Sequence, residues 1–357
     1  MCDHHGNRSF PRLDEQLISR RDVLRRSAQG AVVVGISSGL LGGTGTAAAD
    51  TGVKATHGTG FCNLALFLAH ARQLAREDGV VLEFVNAPTF AEHVTFLGTG
   101  QVDVSIVPYT NFIGLYDAGA PVKIVAGGGV EGLGIVSQPG LDTADKLKGK
   151  TLGTFQLDTL EVMPYDWLKT NGVGFDEITV RYMGSTPETV EAFKAGALDF
   201  ICTIEPYASS LIQDVPGSHL LSDGKDIYGA GYTDCVFAAQ TAIMQEQPET
   251  IKALIKGMMK AQQAFETERQ AVLDEVVGRY YKTSMENARI GADKQPVVVD
   301  ARDQTDFILN RVESVMEMGY IDNKPGRDAI DWTLLEEVIA ENPALWESLA
   351  NKSASAT

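Results

Sequence analysis

Cysteine is scarce in this 357-residue chain, which contains four cysteines and no Cys-x-x-C motif. A structural zinc site or a thioredoxin-like redox centre is therefore not expected. Cys2 lies near the amino terminus, which leaves Cys62, Cys202 and Cys235 for the folded region. Cys202 and Cys235 both lie in strand-like runs, so they either form a disulfide or stay buried as free thiols.

Signatures of several enzyme classes are also missing. The chain has no Gly-x-Ser-x-Gly motif of serine hydrolases, and no phosphate-binding lysine follows the glycines at 127–129. Those glycines indicate either a loop near a hinge or a close approach of two backbone segments. His57 and Cys62 are near in sequence, but two donors on a glycine-containing loop do not make a metal site. We predict binding rather than catalysis, with no metal and no cofactor; an exported, cofactor-dependent enzyme is the alternative.

Positive charge is in short supply. The formal net charge is −17, and it becomes −19 without residues 1–49, which hold six basic and four acidic residues. Such a surface repels nucleic acid and anionic lipid, so neither is an expected partner. The acidic residues are spread along the chain, and they therefore indicate solubility rather than a particular ligand.

The amino-terminal region predicts an export signal. The sequence S-R-R-D-V-L at 19–24 precedes an apolar, glycine-rich stretch at 28–41 and three alanines at 47–49. This looks like a twin-arginine signal with a small-residue cleavage site, whereas an ordinary basic helix has no reason to run into such a segment. The apolar stretch falls short of the roughly 20 residues that span a membrane. We therefore exclude residues 1–49 from the fold and expect a periplasmic protein.

One ten-residue pattern occurs twice, at Val94–Asp103 and Val190–Asp199. Each copy predicts a short amphipathic helix that ends at glycine and a strand that starts at aspartate. Another strand is predicted before each helix, at Val80–Val85 and Ile178–Met183. Strand, helix and strand at this spacing predict parallel pairing with a right-handed crossover. The two copies therefore indicate two similar lobes.

The roughly 300 residues after the signal are more than a single core usually holds. We predict an α/β fold of two lobes, each a mostly parallel sheet flanked by helices, because strands alternate with helices along the chain. A polar segment at 142–150 precedes a second series of strands, and the pattern from Pro248 onward is helical. The predicted divisions are a first lobe at 50–147, an inserted second lobe at 148–232, a return to the first lobe with carboxyl-terminal helices at 233–345, and a frayed tail at 346–357.

The chain resembles the solute-binding proteins of ABC importers, in particular the nitrate/sulfonate/taurine and thiamine-precursor binding group. The resemblance is carried by the export signal, the two Gly-x-[Val/Leu]-Asp strand starts and the sequence D-K-L-K-G-K-T-L-G-T at 145–154. It implies a type II periplasmic-binding clamshell, a monomer that binds a small-molecule solute and delivers it to an ABC permease in the inner membrane. A pyrimidine-forming enzyme shares this fold, but its cysteine-rich run is missing here.

The ligand site is predicted from strand order. In open parallel sheets, ligands bind beyond the carboxyl ends of the strands, where loops lead into helix amino termini. Four such loops follow the predicted strands, two in each lobe, and one aromatic residue precedes the return strand. The predicted ligand contacts are His57, Gly60, Phe61, Cys62, Asn63, Tyr109, Thr110, Asn111, Phe155, Gln156, Asp158, Thr159, Glu205 and Tyr232.

The predicted loops contain two carboxylates, Asp158 and Glu205, but no lysine or arginine. A bare oxyanion calls for arginine or backbone amides, so this composition predicts a nitrogen-containing solute with amine or ring N–H donors. Structural roles are the alternatives: Asp158 or Thr159 as a helix N-cap, and Glu205 as a complement to a helix dipole. His70 and His93, on predicted helices, are interpreted as surface or packing residues.

Overall fold

The computed structural model describes residues 50–353, which form two five-stranded sheets with flanking helices. The strands are β1 Thr51–Thr56, β2 Val80–Phe84, β3 Val104–Pro108, β4 Val122–Val130, β5 Leu133–Ser137, β6 Thr151–Thr154, β7 Thr179–Tyr182, β8 Phe200–Ile204, β9 His219–Ser222 and β10 Thr233–Gln240. The α-helices are α1 Leu64–Arg72, α2 Phe90–Gly98, α3 Tyr109–Asp117, α4 Thr159–Thr170, α5 Thr186–Lys194, α6 Tyr207–Asp214, α7 Lys225–Tyr228, α8 Thr241–Glu246, α9 Pro248–Thr267, α10 Arg269–Val276, α11 Met285–Lys294, α12 Thr305–Glu317, α13 Thr333–Glu341 and α14 Pro343–Ser348.

Both sheets have the same construction. The strand order is β2-β1-β3-β10-β4 in the first sheet and β7-β6-β8-β5-β9 in the second. The predicted two-lobed α/β fold is confirmed. Four of the five strands in each sheet run in the same direction, and the sheet is mixed because β10 in the first sheet and β5 in the second run antiparallel to both neighbours. These two strands follow directly on the points at which the chain changes sheet.

The repeated pattern forms equivalent units, β2-α2-β3 and β7-α5-β8. The two outer strands of each unit are parallel but not paired, because β1 and β6 lie between them. Asp103 and Asp199 make equivalent hydrogen bonds in the two lobes. Oδ2 of Asp103 accepts from the backbone nitrogen of Lys54 in β1, and Oδ2 of Asp199 accepts from that of Thr151 in β6, each over 2.8 Å. The aspartate of the pattern therefore fixes the start of one strand against its neighbour.

The chain crosses from the first sheet to the second between Val130 and Leu133. This differs from the predicted boundary before residue 148, because β5 pairs with β8 and β9 in the second sheet. Glu131 and Gly132 make the turn with positive φ values of 58° and 78°. The chain returns as β10, whose first residue Thr233 is aligned with Val130 of β4.

The carboxyl-terminal region is helical, as predicted from Pro248 onward, and Met258 and Met259 of α9 are fully buried in the core. The predicted frayed tail is wrong for the described residues up to 353. Ser353 is buried, and both its backbone nitrogen and its hydroxyl donate to the carbonyl oxygen of Asp300. No helix among residues 50–353 combines the length and the apolarity that a membrane span requires. The predicted export signal, residues 1–49, lies outside the described residues.

Candidate ligand site between the lobes

The two lobes meet across a closed cleft. The hydroxyls of Thr59 and Thr186 lie 2.9 Å apart, and the backbone nitrogen of Phe90 donates to the carbonyl oxygen of Gly184 over 3.0 Å. At the inner end, the backbone nitrogen of Phe61 donates to the carbonyl oxygen of the second-lobe residue Glu205. These contacts enclose the space between the carboxyl ends of the parallel strands, where the strand-order rule places a ligand.

A cavity of about 120 Å³ lies inside this cleft. Loops of both lobes line it, including residues 57–60 and 87–90 of the first lobe and residues 158–160 of the second. A protein cavity of about 150 Å³ holds benzene, so this one suits a solute of about the size of one small ring. No lysine or arginine lines the cavity in the described part of the chain.

Two buried carboxyl groups face the cavity, Asp158 at the start of α4 and Asp234 in β10. Burial raises the pKa of Asp158 to about 7, and burial also raises the pKa of Asp234. The hydroxyl of Thr159 lies between them, 3.0 Å from Oδ1 of Asp158 and 2.7 Å from Oδ1 of Asp234. A hydroxyl has one hydrogen to donate, so at most one of the two carboxylates can receive it. The carboxyl group that does not receive this hydrogen either binds a proton or accepts a hydrogen bond from a ligand.

The aromatic lining consists of two phenylalanines and two histidines. The rings of Phe90 and Phe155 approach to 5.0 Å between centroids, one from each lobe. Burial lowers the pKa of His57 and lowers the pKa of His93 to about 3. Both imidazoles are therefore neutral at physiological pH, so among the described residues the walls carry no positive charge opposite the two carboxyl groups.

Six of the predicted contact residues line the cavity, and eight do not. Those lining it are His57, Gly60, Asn63, Phe155, Asp158 and Thr159. Those outside it are Phe61, Cys62, Tyr109, Thr110, Asn111, Gln156, Glu205 and Tyr232. Asp158 also caps α4, because its Oδ1 accepts from the backbone nitrogen of Leu160 at 3.0 Å. Asp158 is therefore both the N-cap of α4 and a residue of the cavity wall.

The predicted residues outside the cavity make structural contacts instead. Phe61 packs its ring edge-on against Tyr281 in the core, with centroids 4.7 Å apart. Tyr109 is buried against Phe307, and Tyr232 donates its hydroxyl hydrogen to the backbone of the second lobe. Thr110 and Asn111 follow Tyr109 into α3 and are buried, and the side-chain amide of Asn111 donates to the carbonyl oxygen of Gln156. These residues join the lobes or fill the core.

Glu205, the second predicted carboxylate, points away from the cavity. Its carboxylate accepts hydrogen bonds from the backbone nitrogen and the hydroxyl of Ser209, and Lys294 lies 3.6 Å away. Glu205 thus serves the first turn of α6, which is the structural alternative stated above. The second cavity carboxylate is Asp234 instead.

Sequence reasoning missed several lining residues. Thr89 and Phe90 follow β2, and Ser185 and Thr186 follow β7, so the strand-order rule could have found all four. Thr89 and Ser185 also cap the repeated helices α2 and α5. Asp234 could not be found in this way, because it lies at the beginning of a strand that runs against the others.

Comparison with known proteins identifies relatives of this fold. A family model described as NMT1-like matches residues 50–279. The chain belongs to the NMT1-like family. A search of curated proteins gives no match to this NMT1-like chain.

Solved structures resemble the NMT1-like chain in fold. The ligand-binding component of an ABC-type import system from Staphylococcus aureus, with zinc bound, has a TM-score of 0.71 and 16% identity over 81% of this chain and 99% of its own. The alkanesulfonate-binding protein SsuA from Xanthomonas axonopodis pv. citri, bound to MOPS, has a TM-score of 0.69 and 16% identity over 80% of this chain and 99% of its own. The periplasmic nitrate-binding protein NrtA from Synechocystis PCC 6803 has a TM-score of 0.71 and 14% identity over 85% of this chain and 92% of its own. The predicted type II periplasmic-binding fold is confirmed.

Proposed function

We propose that this NMT1-like protein is the extracytoplasmic solute-binding component of an ABC importer, and that its solute is a small nitrogen-containing molecule. The solute is cationic or presents N–H donors to Asp158 and Asp234. The observation that carries this proposal is the pair of buried carboxyl groups in a cavity without a lysine or arginine in the described residues. Binding without catalysis is part of the proposal, as is export to the periplasm by the twin-arginine route.

Charge favours such a solute over an anion. A sulfonate or nitrate held in this cavity would face two carboxyl groups and two neutral histidines, and no cationic side chain within residues 50–353 lines the cavity to offset the repulsion. An ammonium or a ring N–H group supplies the donors that the single hydroxyl of Thr159 cannot supply. The rings of Phe90 and Phe155 then provide an apolar surface for the rest of the solute.

Solute capture is coupled to closure of the cleft. Asp158 belongs to the second lobe and Asp234 to the first, so a solute that contacts both binds the closed form more tightly than the open form. This difference in affinity shifts the population toward the closed form. An inner-membrane permease then recognises the closed lobes.

Paired titrations of the purified protein test this proposal. We expect small primary amines, guanidines and aminopyrimidines to bind by calorimetry, and sulfonates or nitrate of matched size not to bind. D158N and D234N keep the shape of each side chain, so their loss of affinity reports charge. E205Q is the matched control, because it neutralises a buried carboxylate outside the cavity. Tighter binding of an anion, or equal amine affinity in all three variants, would refute the proposal.

A further inference from the structure

A cluster of two thiols and one carboxylate adjoins the cavity, which Asp234 and Cys235 line and Cys62 does not. The Sγ atoms of Cys62 and Cys235 and a carboxylate oxygen of Asp234 are all within 4.8 Å of one another, and all three residues are buried. We propose that Cys62, Asp234 and Cys235 form a binding site for a thiophilic metal ion of the Zn²⁺ type. The site does not rest on the nature of the transported solute.

The donor set and its dimensions suit this ion. Two sulfur ligands and one carboxylate oxygen are typical zinc donors, with Zn–S distances of about 2.3 Å and Zn–O distances of about 2.0–2.2 Å. Tetrahedral geometry then places the ligand atoms roughly 3.3–3.8 Å apart. The present separations reach this range with side-chain movements on the order of an ångström. Sγ of Cys235 lies 3.0 Å from Oδ2 of Asp234, slightly closer than this range, so these two atoms would move apart by a few tenths of an ångström.

The backbone explains how three such residues come together. Neighbouring residues of a regular strand point to opposite faces, but β10 is irregular against β4 on both sides of Cys235, which redirects its side chain. Cys62 is brought in by the glycines of β4. A Cβ atom on Gly129 would lie 2.8 Å from Cα of Cys62, and one on Gly128 would lie 3.2 Å from the carbonyl oxygens of Cys62 and Cys235. Of the two interpretations of the glycines at 127–129, close approach of two backbone segments therefore applies, and it brings Cys62 next to Cys235.

Hydrogen bonds around the cluster orient two of its members. The side-chain amide of Asn63 lies 3.2 Å from Sγ of Cys62, and the hydroxyl of Thr159 holds Oδ1 of Asp234 while Oδ2 faces Cys235. Outer groups of this kind fix the direction of metal ligands. Asp234 and Cys235 also line the cavity, so the fourth position of a tetrahedral ion opens toward the solute space.

Metal binding is compatible with the proposed cationic solute. Both cysteines are free thiols, and coordination releases their two protons to solvent. Two thiolates and one carboxylate then carry three negative charges against the two positive charges of the ion. The wall therefore keeps a net negative charge. Sequence reasoning predicted no metal, because it considered Cys62 only together with His57 and Cys235 only together with Cys202.

Cobalt substitution tests the site on the full protein, reduced with a phosphine that binds metal weakly. We expect one equivalent of Co²⁺ with a thiolate-to-cobalt charge-transfer band that Zn²⁺ abolishes. In C62S and C235S the band should disappear and the affinity for Zn²⁺ should fall by more than about 100-fold. C202S is the matched control, since Cys202 is a buried thiol whose Sγ neighbours Met163 instead. D158N should retain the metal, which separates this site from solute binding.

Native mass spectrometry of the wild-type protein with added Zn²⁺ gives a readout that needs no variant. One bound ion, with two protons released, supports the site. A wild-type protein without the cobalt band, a band unchanged in C62S, or a disulfide between Cys62 and Cys235 in the protein as isolated would each overturn it. Circular dichroism of each serine variant shows whether loss of the band reflects loss of the ligand alone.

Discussion

The hydroxyl of Thr159 lies 2.7 Å from Oδ1 of Asp234, although the two residues are 75 positions apart and belong to different lobes. The same hydroxyl lies 3.0 Å from Oδ1 of Asp158. One small side chain thus connects the carboxyl group of one lobe with that of the other. The geometry of the proposed solute site depends on the lobes being closed.

Removal of this hydroxyl should weaken solute capture. A hydrogen bond to a charged group contributes about 1.5–3 kcal/mol, so T159V should lower the affinity for the amine solute by about tenfold or more. T159S keeps the hydroxyl and should retain most of the affinity. Calorimetry of both variants measures the difference. Equal affinity in T159V and the wild-type protein would show that the contact between the lobes contributes nothing.

The affinity for a cationic solute should depend on pH through Asp158. Burial raises the pKa of this carboxyl to about 7, so below pH 7 it is increasingly neutral. Binding should weaken by up to about tenfold for each pH unit between 7 and 5. The test uses an amine that stays protonated up to pH 8, so that only the protein titrates. D158N is the control, and its affinity should vary much less over this range.

Glu161 should make the stability of the fold depend on pH. Its carboxylate accepts hydrogen bonds from the hydroxyls of Tyr182 and Tyr320, yet burial raises its pKa to about 7. A carboxyl with a raised pKa contributes its full stability below its ordinary pKa, near pH 4.5, and loses it as pH rises through 7. The free energy of unfolding should therefore fall by roughly 3 kcal/mol from this group between pH 4.5 and 8.

Urea unfolding of E161Q at pH 5 and pH 8 checks this expectation. The variant should show a smaller difference between the two pH values than the wild-type protein, because glutamine does not titrate. E313Q is the matched control, since Glu313 is an exposed glutamate. If E161Q and the wild-type protein lose the same free energy of unfolding between pH 5 and pH 8, Glu161 is not the group responsible for the pH dependence.

Gly129 should not tolerate a side chain. A Cβ atom there would lie 2.8 Å from Cα of Cys62, and a backbone atom cannot move aside as the end of a side chain can. G129A should therefore lower the free energy of unfolding by about 1–3 kcal/mol, the usual cost of overpacking. G52A is the control, because the nearest atom is then the flexible end of Glu83 at 3.6 Å. Thermal and urea unfolding of both variants provide the comparison.

Local patterns predicted the repeated units well. The Gly-x-[Val/Leu]-Asp pattern works because it records a helix end and a strand start within a few residues, and Asp103 and Asp199 make matching contacts in the structure. The lobe boundary was misplaced because β5 follows β4 after only two residues, and nothing in that short turn distinguishes a change of sheet from a hairpin.

Part of the candidate site was beyond local reasoning. Asp158 follows a strand in the expected way, whereas Asp234 reaches the cavity only because β10 is reversed and irregular. Glu205 has the right chemistry and follows the right strand, but Ser209 and Lys294 draw its carboxylate into the first turn of α6. Side-chain direction after a strand depends on neighbours that are distant in sequence.

The two passages of the chain between the sheets stand side by side. Val130 ends one strand directly opposite Thr233, where the other begins. Two chain connections at one place form a hinge between the lobes and restrict how far the lobes can slide past each other. Opening of the cleft must break the contacts between Thr59 and Thr186 and between Phe90 and Gly184. Under the proposed function, the solute would enter and leave where these contacts break, and the permease would distinguish the closed form by their presence.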